Sequence, residues 1–152
     1  SGLPNRPDTE NLNTEAQAEL LVRAGTLTGW LGSAKQVPGS QEIAKDLISE
    51  GAALFESIGM TERVAEARVC LSTCYWREGA LDEARVTLRL ALDSLQGSQS
   101  EQRLRALLNS AIVESTAISD QEALKICVEA SPLFESKSYS EGKVSQFLRH
   151  HP

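Results

Sequence analysis

Arg68-Val69-Cys70-Leu71-Ser72-Thr73-Cys74-Tyr75-Trp76-Arg77-Glu78-Gly79-Ala80-Leu81-Asp82-Glu83-Ala84 is the stretch on which the fold turns. Up to Glu78 it reads as the closing turns of a helix. Gly79 supplies the left-handed residue that ends one. Leu81 then opens a second helix, with Asp82 and Glu83 in its first turn, where the helix dipole favours negative charge. One helix, a tight turn and another helix make a pair that cannot bury its apolar face alone, so copies are expected elsewhere in the chain.

Self-comparison finds them. Leu54-Phe55-Glu56-Ser57 recurs as Leu133-Phe134-Glu135-Ser136 at a shift of 79. Half that shift is about one helix pair. Ala44, Ile48 and Gly51 map onto Ala84, Leu88 and Ala91 at a shift of 40, and these map onto Ala123, Cys127 and Ala130 at 39. Three second helices therefore share a small–bulky–small triplet. Small residues let neighbouring helices approach while the bulky one fills the gap. Stacked copies make one continuous core, and about three are the usual minimum.

Working outward, residues 1–12 carry two prolines and little apolar content and are expected as a disordered lead-in. Asn13 or Thr14 caps a first helix with Leu20, Leu21, Ala24, Leu27 and Leu31 as its inward stripe. Pro38-Gly39-Ser40 ends it and starts a second helix, to about residue 58, with Ile43, Leu47, Ile48, Leu54 and Phe55 inward. Gly59 closes that helix. Further helices are expected at 61–78, 81–95 (closed by Gly97), 100–116 and 120–134. Ser140-Glu141 falls over Thr61-Glu62 at the shift of 79, so residues 139–149 are either a capping helix or the start of a truncated further repeat. No strand pattern competes. The expected fold is all-α, a repeat domain over 13–149 with pairs at about 14–58, 61–97 and 100–136.

The quoted stretch resembles the tetratricopeptide repeat (TPR) family. Leu71-Ser72 resembles the family's apolar-then-small pair, Tyr75 its aromatic one turn later, and Gly79 its turn. Ala84, Leu88 and Ala91 are similar to the alanine, bulky residue and alanine of its second helix. In the third copy Leu107, Ala111, Ala123 and Ala130 fit, but Glu114 stands where an aromatic is usual. The period of 39–40 exceeds the family's roughly 34 residues and is similar to longer versions in bacterial regulatory proteins. The resemblance implies a right-handed α-solenoid of about three antiparallel helix pairs. It also implies a concave groove lined by the first helices, with Val69, Thr73 and Trp76 pointing into it and Arg77, Arg105 and Ile112 nearby. Trp and Arg are enriched in binding hot spots. Trp76 is read either as a groove residue or as closing the core beside Tyr75, and Trp30 is the second tryptophan of interest.

Composition narrows the partners. Net charge is −6 over 152 residues, which argues against nucleic acid, because phosphate binding needs concentrated Lys and Arg. No apolar run reaches the length of a membrane span. The opening Ser1-Gly2-Leu3-Pro4 has neither methionine nor signal core and reads as a tag scar or a fragment edge. Three cysteines, an odd number without framework spacing, suit a reducing cytoplasm.

Each residue group that suggests catalysis or a cofactor has a plainer reading. Cys70 and Cys74 share a helix face and with Cys127 would give three thiolates; packing is the plainer reading, since metal sites want four ligands or three plus water. Cys127 takes the bulky place of its triplet, which points to burial. His150 and His151 are adjacent and terminal, a poor catalytic pair. Gly29 and Gly32 lack the Lys-Ser/Thr of a nucleotide loop. The expected function is therefore a non-enzymatic scaffold without cofactors, binding a protein or peptide partner in the groove. A self-associating homodimer and a ligand-sensing domain are the alternatives.

Overall fold

The computed structural model describes residues 2–117 and 120–136. They form six helices: α1 (Thr14–Ala34), α2 (Ser40–Ser57), α3 (Thr61–Arg77), α4 (Leu81–Ser94), α5 (Glu101–Thr116) and α6 (Asp120–Ser136). No strand occurs among the described residues, so the chain is all-α. The possible helix at 139–149, and the two histidines, lie outside the described residues.

Local chemistry sets the ends. The Asn13 side chain accepts from the Ala16 N–H at 2.8 Å, and the Ser100 hydroxyl accepts from the Arg103 N–H at 3.3 Å. Gly59, Gly79 and Gly97 take φ of 71°, 76° and 76°, so each can turn the chain left-handed at no Cβ cost. Past the first two glycines the backbone doubles back: Met60 N–H reaches the Phe55 carbonyl at 3.1 Å, and Ala80 N–H reaches Tyr75 at 2.9 Å.

Each helix packs on the next in the chain. In addition α1 touches α3 and α3 touches α5, whereas α2, α4 and α6 do not touch one another among the described residues. Arg63 of α3 pairs with Glu19 of α1, and further along Arg77 lies beside Gly29. Both numbers rise together, so α1 and α3 run parallel. The core forms three adjoining clusters, each centred on one joint.

Two triplets fill the place expected of them. Ala44, Ile48, Gly51, Ala84, Leu88 and Ala91 are all buried. The third departs: Ala123 and Ala130 are buried, but Cys127 is exposed, which corrects the packing role expected for it. The reason is lateral support. Helices α2 and α4 each meet two neighbours, whereas α6 meets only α5 among the described helices. It turns Ile126, Ala130 and Leu133 onto Leu104, Leu107 and Leu108, leaving Cys127 off that line. The recurring Leu-Phe pair changes roles for the same reason. Phe55 is buried and Leu54 half-buried, while Leu133 is buried and Phe134 half-buried.

The expected stripe of α1 also needs correction. Leu21 is buried, but Leu27 is 45% exposed, and the buried line is Ala18, Leu21, Val22, Gly25, Thr28, Gly29 and Gly32. Small residues win because α1 lies against α2 almost backbone to backbone. Ile43 of α2, expected inward, is 48% exposed. The segment expected as a disordered lead-in forms no helix, but Arg6 makes a two-pronged pair with Glu50, each bond 2.7 Å. An exposed pair of this kind adds little stability.

Two of the joints between helices carry related contacts. Lys45 lies 4.9 Å from the centre of the Tyr75 ring and pairs with Glu78 at 2.8 Å. Burial works against the Lys45 charge, but hydrogen bonds to Glu42 and Glu78 outweigh it and hold its pKa above the ordinary lysine value. Forty residues on, Arg85 grips Glu114 at 2.5 and 3.2 Å. Glu114 is the residue standing where an aromatic is usual. A basic residue thus crosses to the next first helix at both joints, meeting an aromatic ring at one and a carboxylate at the other.

Candidate functional site

The six residues expected in the groove do not form one surface. Val69 and Ile112 are buried in the core. Arg105 is exposed and pairs with Glu101 of its own helix at 2.7 Å. Thr73 and Trp76 come together with Ile112. They line, with Ser72, Asn109 and Val113, a crevice of about 10 Å³ between α3 and α5, which holds no more than a water. Trp76 spans this joint half-buried, its indole N–H donating to the Thr116 hydroxyl at 2.8 Å, while its ring packs against the core. Its ring belongs to the core and its edge to the crevice.

Arg77 turns the other way, toward α1. It approaches Gly29, and burial pushes its pKa below the ordinary arginine value, with the nearby Cys74 and Cys70 pulling it back part of the way. On α1 itself Trp30 is 57% exposed, next to the exposed Leu27. Both sit opposite the glycines that face α2, because 3.6 residues per turn put positions 27 and 30 across from 25, 29 and 32. That glycine spacing was the signal available in the sequence for which side of α1 stays free. Asn109, Thr116 and Gln41 carried no such signal.

The cysteines behave as packing residues in part. Burial pushes the Cys74 thiol up to about 11, and it raises Cys70 as well, against the opposing pull of the Thr26 hydroxyl. Among the described residues no three His, Cys, Asp or Glu side chains gather as a metal group.

The raised thiol has a stability consequence. A group bound more tightly to its proton in the fold stabilises fully below its unfolded value of 9.0 and loses that contribution as pH rises toward about 11. The Cys74 contribution to unfolding free energy is therefore expected to be flat below pH 9 and to fall by about 2–3 kcal/mol above it. Urea midpoints measured from pH 8 to 11 check this, with Cys74→Ala as reference; an equal fall in the variant rejects Cys74 as the source.

A larger hollow of about 480 Å³ lies among α4, α5 and α6, with Leu88, Leu92, Leu107 and Ile126 inside and Arg89 and Glu122 among its charged residues. Among the described residues no helix is long and apolar enough to cross a membrane. Comparison with protein-family models, with curated proteins and with solved structures finds no match to this chain.

Proposed function

We propose that this chain is a protein-interaction scaffold, a right-handed α-solenoid of tetratricopeptide-like helix pairs. It holds a peptide or helix of a partner protein along the face shared by α1, α3 and α5. One observation carries the reading: first helices touch first helices, while second helices stay apart. Layering of that kind leaves a continuous face on one side, and on it Leu27, Trp30 and Trp76 offer apolar and aromatic surface. Stacked helices are stiff, so little ordering entropy is lost on binding. The role is binding rather than catalysis and requires no cofactor. Three cysteines without a disulfide suit the cytoplasm. A place within a bacterial regulatory protein rests on the length of the period alone.

Trp76→Ala combined with Arg77→Ala is expected to abolish or strongly weaken partner capture in a pull-down from the source cell, with helical circular dichroism unchanged. Parallel loss of fold and capture would make these residues structural; undiminished capture would remove the groove.

A second reading is self-association through the α6 end. Leu124 and Val128, one turn apart, are 67% and 64% exposed. Sedimentation across a concentration series separates the two readings, because a strict monomer eliminates the homodimer.

A further inference from the structure

We propose that residues 140–152 dock on the open side of α6 as a fourth first helix, as α3 packs on α2 and α5 on α4. Those residues lie outside the described part of the chain. The open side of α6 and their own sequence both point to this docking, which does not depend on the groove reading above.

Helix α6 is not built as the end of a stack. A terminal repeat needs a polar outer face. Here Leu124 and Val128 are 67% and 64% exposed, and Cys127 beside them is exposed too. Counted back by 39, these three stand in the places of Arg85, Leu88 and Arg89. On α4 that side belongs to the next first helix. Arg85 grips Glu114 of α5, and all three residues border the hollow with Leu107 and Ser110 of α5. On α2 the same side carries Lys45, which crosses to Tyr75 and Glu78. Helix α6 meets only α5 among the described helices. Where the two earlier crossing residues are basic and reach carboxylates, the third is leucine, so a matching cover is apolar.

The chain carries such a segment. Ser100-Glu101-Gln102-Arg103-Leu104-Arg105-Ala106-Leu107-Leu108, at the start of α5, recurs forty residues on. There it reads Ser140-Glu141-Gly142-Lys143-Val144-Ser145-Gln146-Phe147-Leu148. Serine, glutamate, a basic residue and three apolar residues keep their places. In the first copy Ser100 caps α5, and Leu104, Leu107 and Leu108 are buried. Val144, Phe147 and Leu148 share that helical spacing, with Ser140 in the capping place.

The reach is sufficient. Three residues separate Ser136 from Ser140, as three separate α2 from α3. A helix over 140–152 is about 20 Å long, and Val128 lies about 12 Å back from the end of α6. Covering Val128 and Cys127 removes apolar surface from water, which drives the docking. That side of α6 is then closed to a second copy.

Cys127 reports on the contact. Its alkylation by iodoacetamide, read by peptide mass, is expected to run about tenfold more slowly than in a free peptide, at every protein concentration. Phe147→Asp with Leu148→Asp should bring fast labelling back. Ser145→Asp, in the place of the exposed Arg105, should leave it slow. NOEs between the Val128 methyls and the Phe147 ring test the contact in the unaltered chain, and are expected because their counterparts Arg89 and Leu107 border one hollow. Fast labelling of the unaltered chain, protection that survives Phe147→Asp with Leu148→Asp, or absence of those NOEs overturns the docking. Protection that appears only as concentration rises also overturns it and identifies a second copy as the occupant.

Discussion

Gly25→Ala is expected to destabilise the chain even though alanine is the better helix former. The added methyl would stand 2.7 Å from Ile48 Cγ1, 2.9 Å from the Ala44 carbonyl oxygen and 3.1 Å from the Ile48 nitrogen. Two of those atoms belong to the backbone of α2 and cannot rotate away. Intrinsic propensity returns about 1 kcal/mol, but overpacking a rigid contact costs about 1–3 kcal/mol and here more, because whole helices must separate. A net loss of about 2 kcal/mol follows, or a fall in Tm of roughly 4–8 °C. Gly51→Ala is the mirror experiment, since its methyl would meet Val22 Cγ2 at 2.6 Å and the Ala18 carbonyl oxygen at 2.8 Å. Each glycine receives the backbone of the facing helix, so the contact is reciprocal. A rise in Tm for either variant would show that α1 and α2 are not held this closely.

Phe55→Ala is expected to cost still more, about 3–5 kcal/mol, by the lost transfer energy and the cavity left behind. Phe55 is 1% exposed and sits in the cluster that joins α1, α2 and α3, with the Arg63 guanidinium 5.1 Å from its ring centre. Its removal frees Arg63 from one contact but leaves the pairs with Glu19 and Glu66 in place. The loss should therefore be mainly apolar and insensitive to salt. Denaturant titration at low and high ionic strength measures it, with Leu124→Ala as the exposed comparison, expected within about 0.5 kcal/mol of the parent. A Phe55→Ala loss no larger than that comparison would place Phe55 outside the core.

Helix limits were legible because they are local. Pro38-Gly39-Ser40, Gly59, Gly79, Asn13 and Ser100 act through the φ of one residue or a hydrogen bond spanning three, and the helices end within two residues of the expected positions. The triplets on the second and fourth helices were legible for a related reason. Burial on both sides forces the same residue sizes at the same spacing. Where a helix has fewer neighbours the pattern misleads, as Cys127 on α6 shows by its exposure; Leu27 and Ile43 are exposed as well, although α1 and α2 each meet two helices. Glu114 was the other ambiguous position. In sequence it reads as a lost aromatic, and its Arg85 partner lies 29 residues away.

The order of the helices, their caps and the forty-residue period were determined by the sequence alone, since each depends on neighbours within a few turns. Whether Trp76 belongs to core or surface, and that Arg77 and Gln41 both lie against Gly29, were decided only by the tertiary structure. Those arrangements depend on the distance between helices far apart in sequence. Glycines set that distance by the side chains they lack, and no periodicity of apolar residues records an absence.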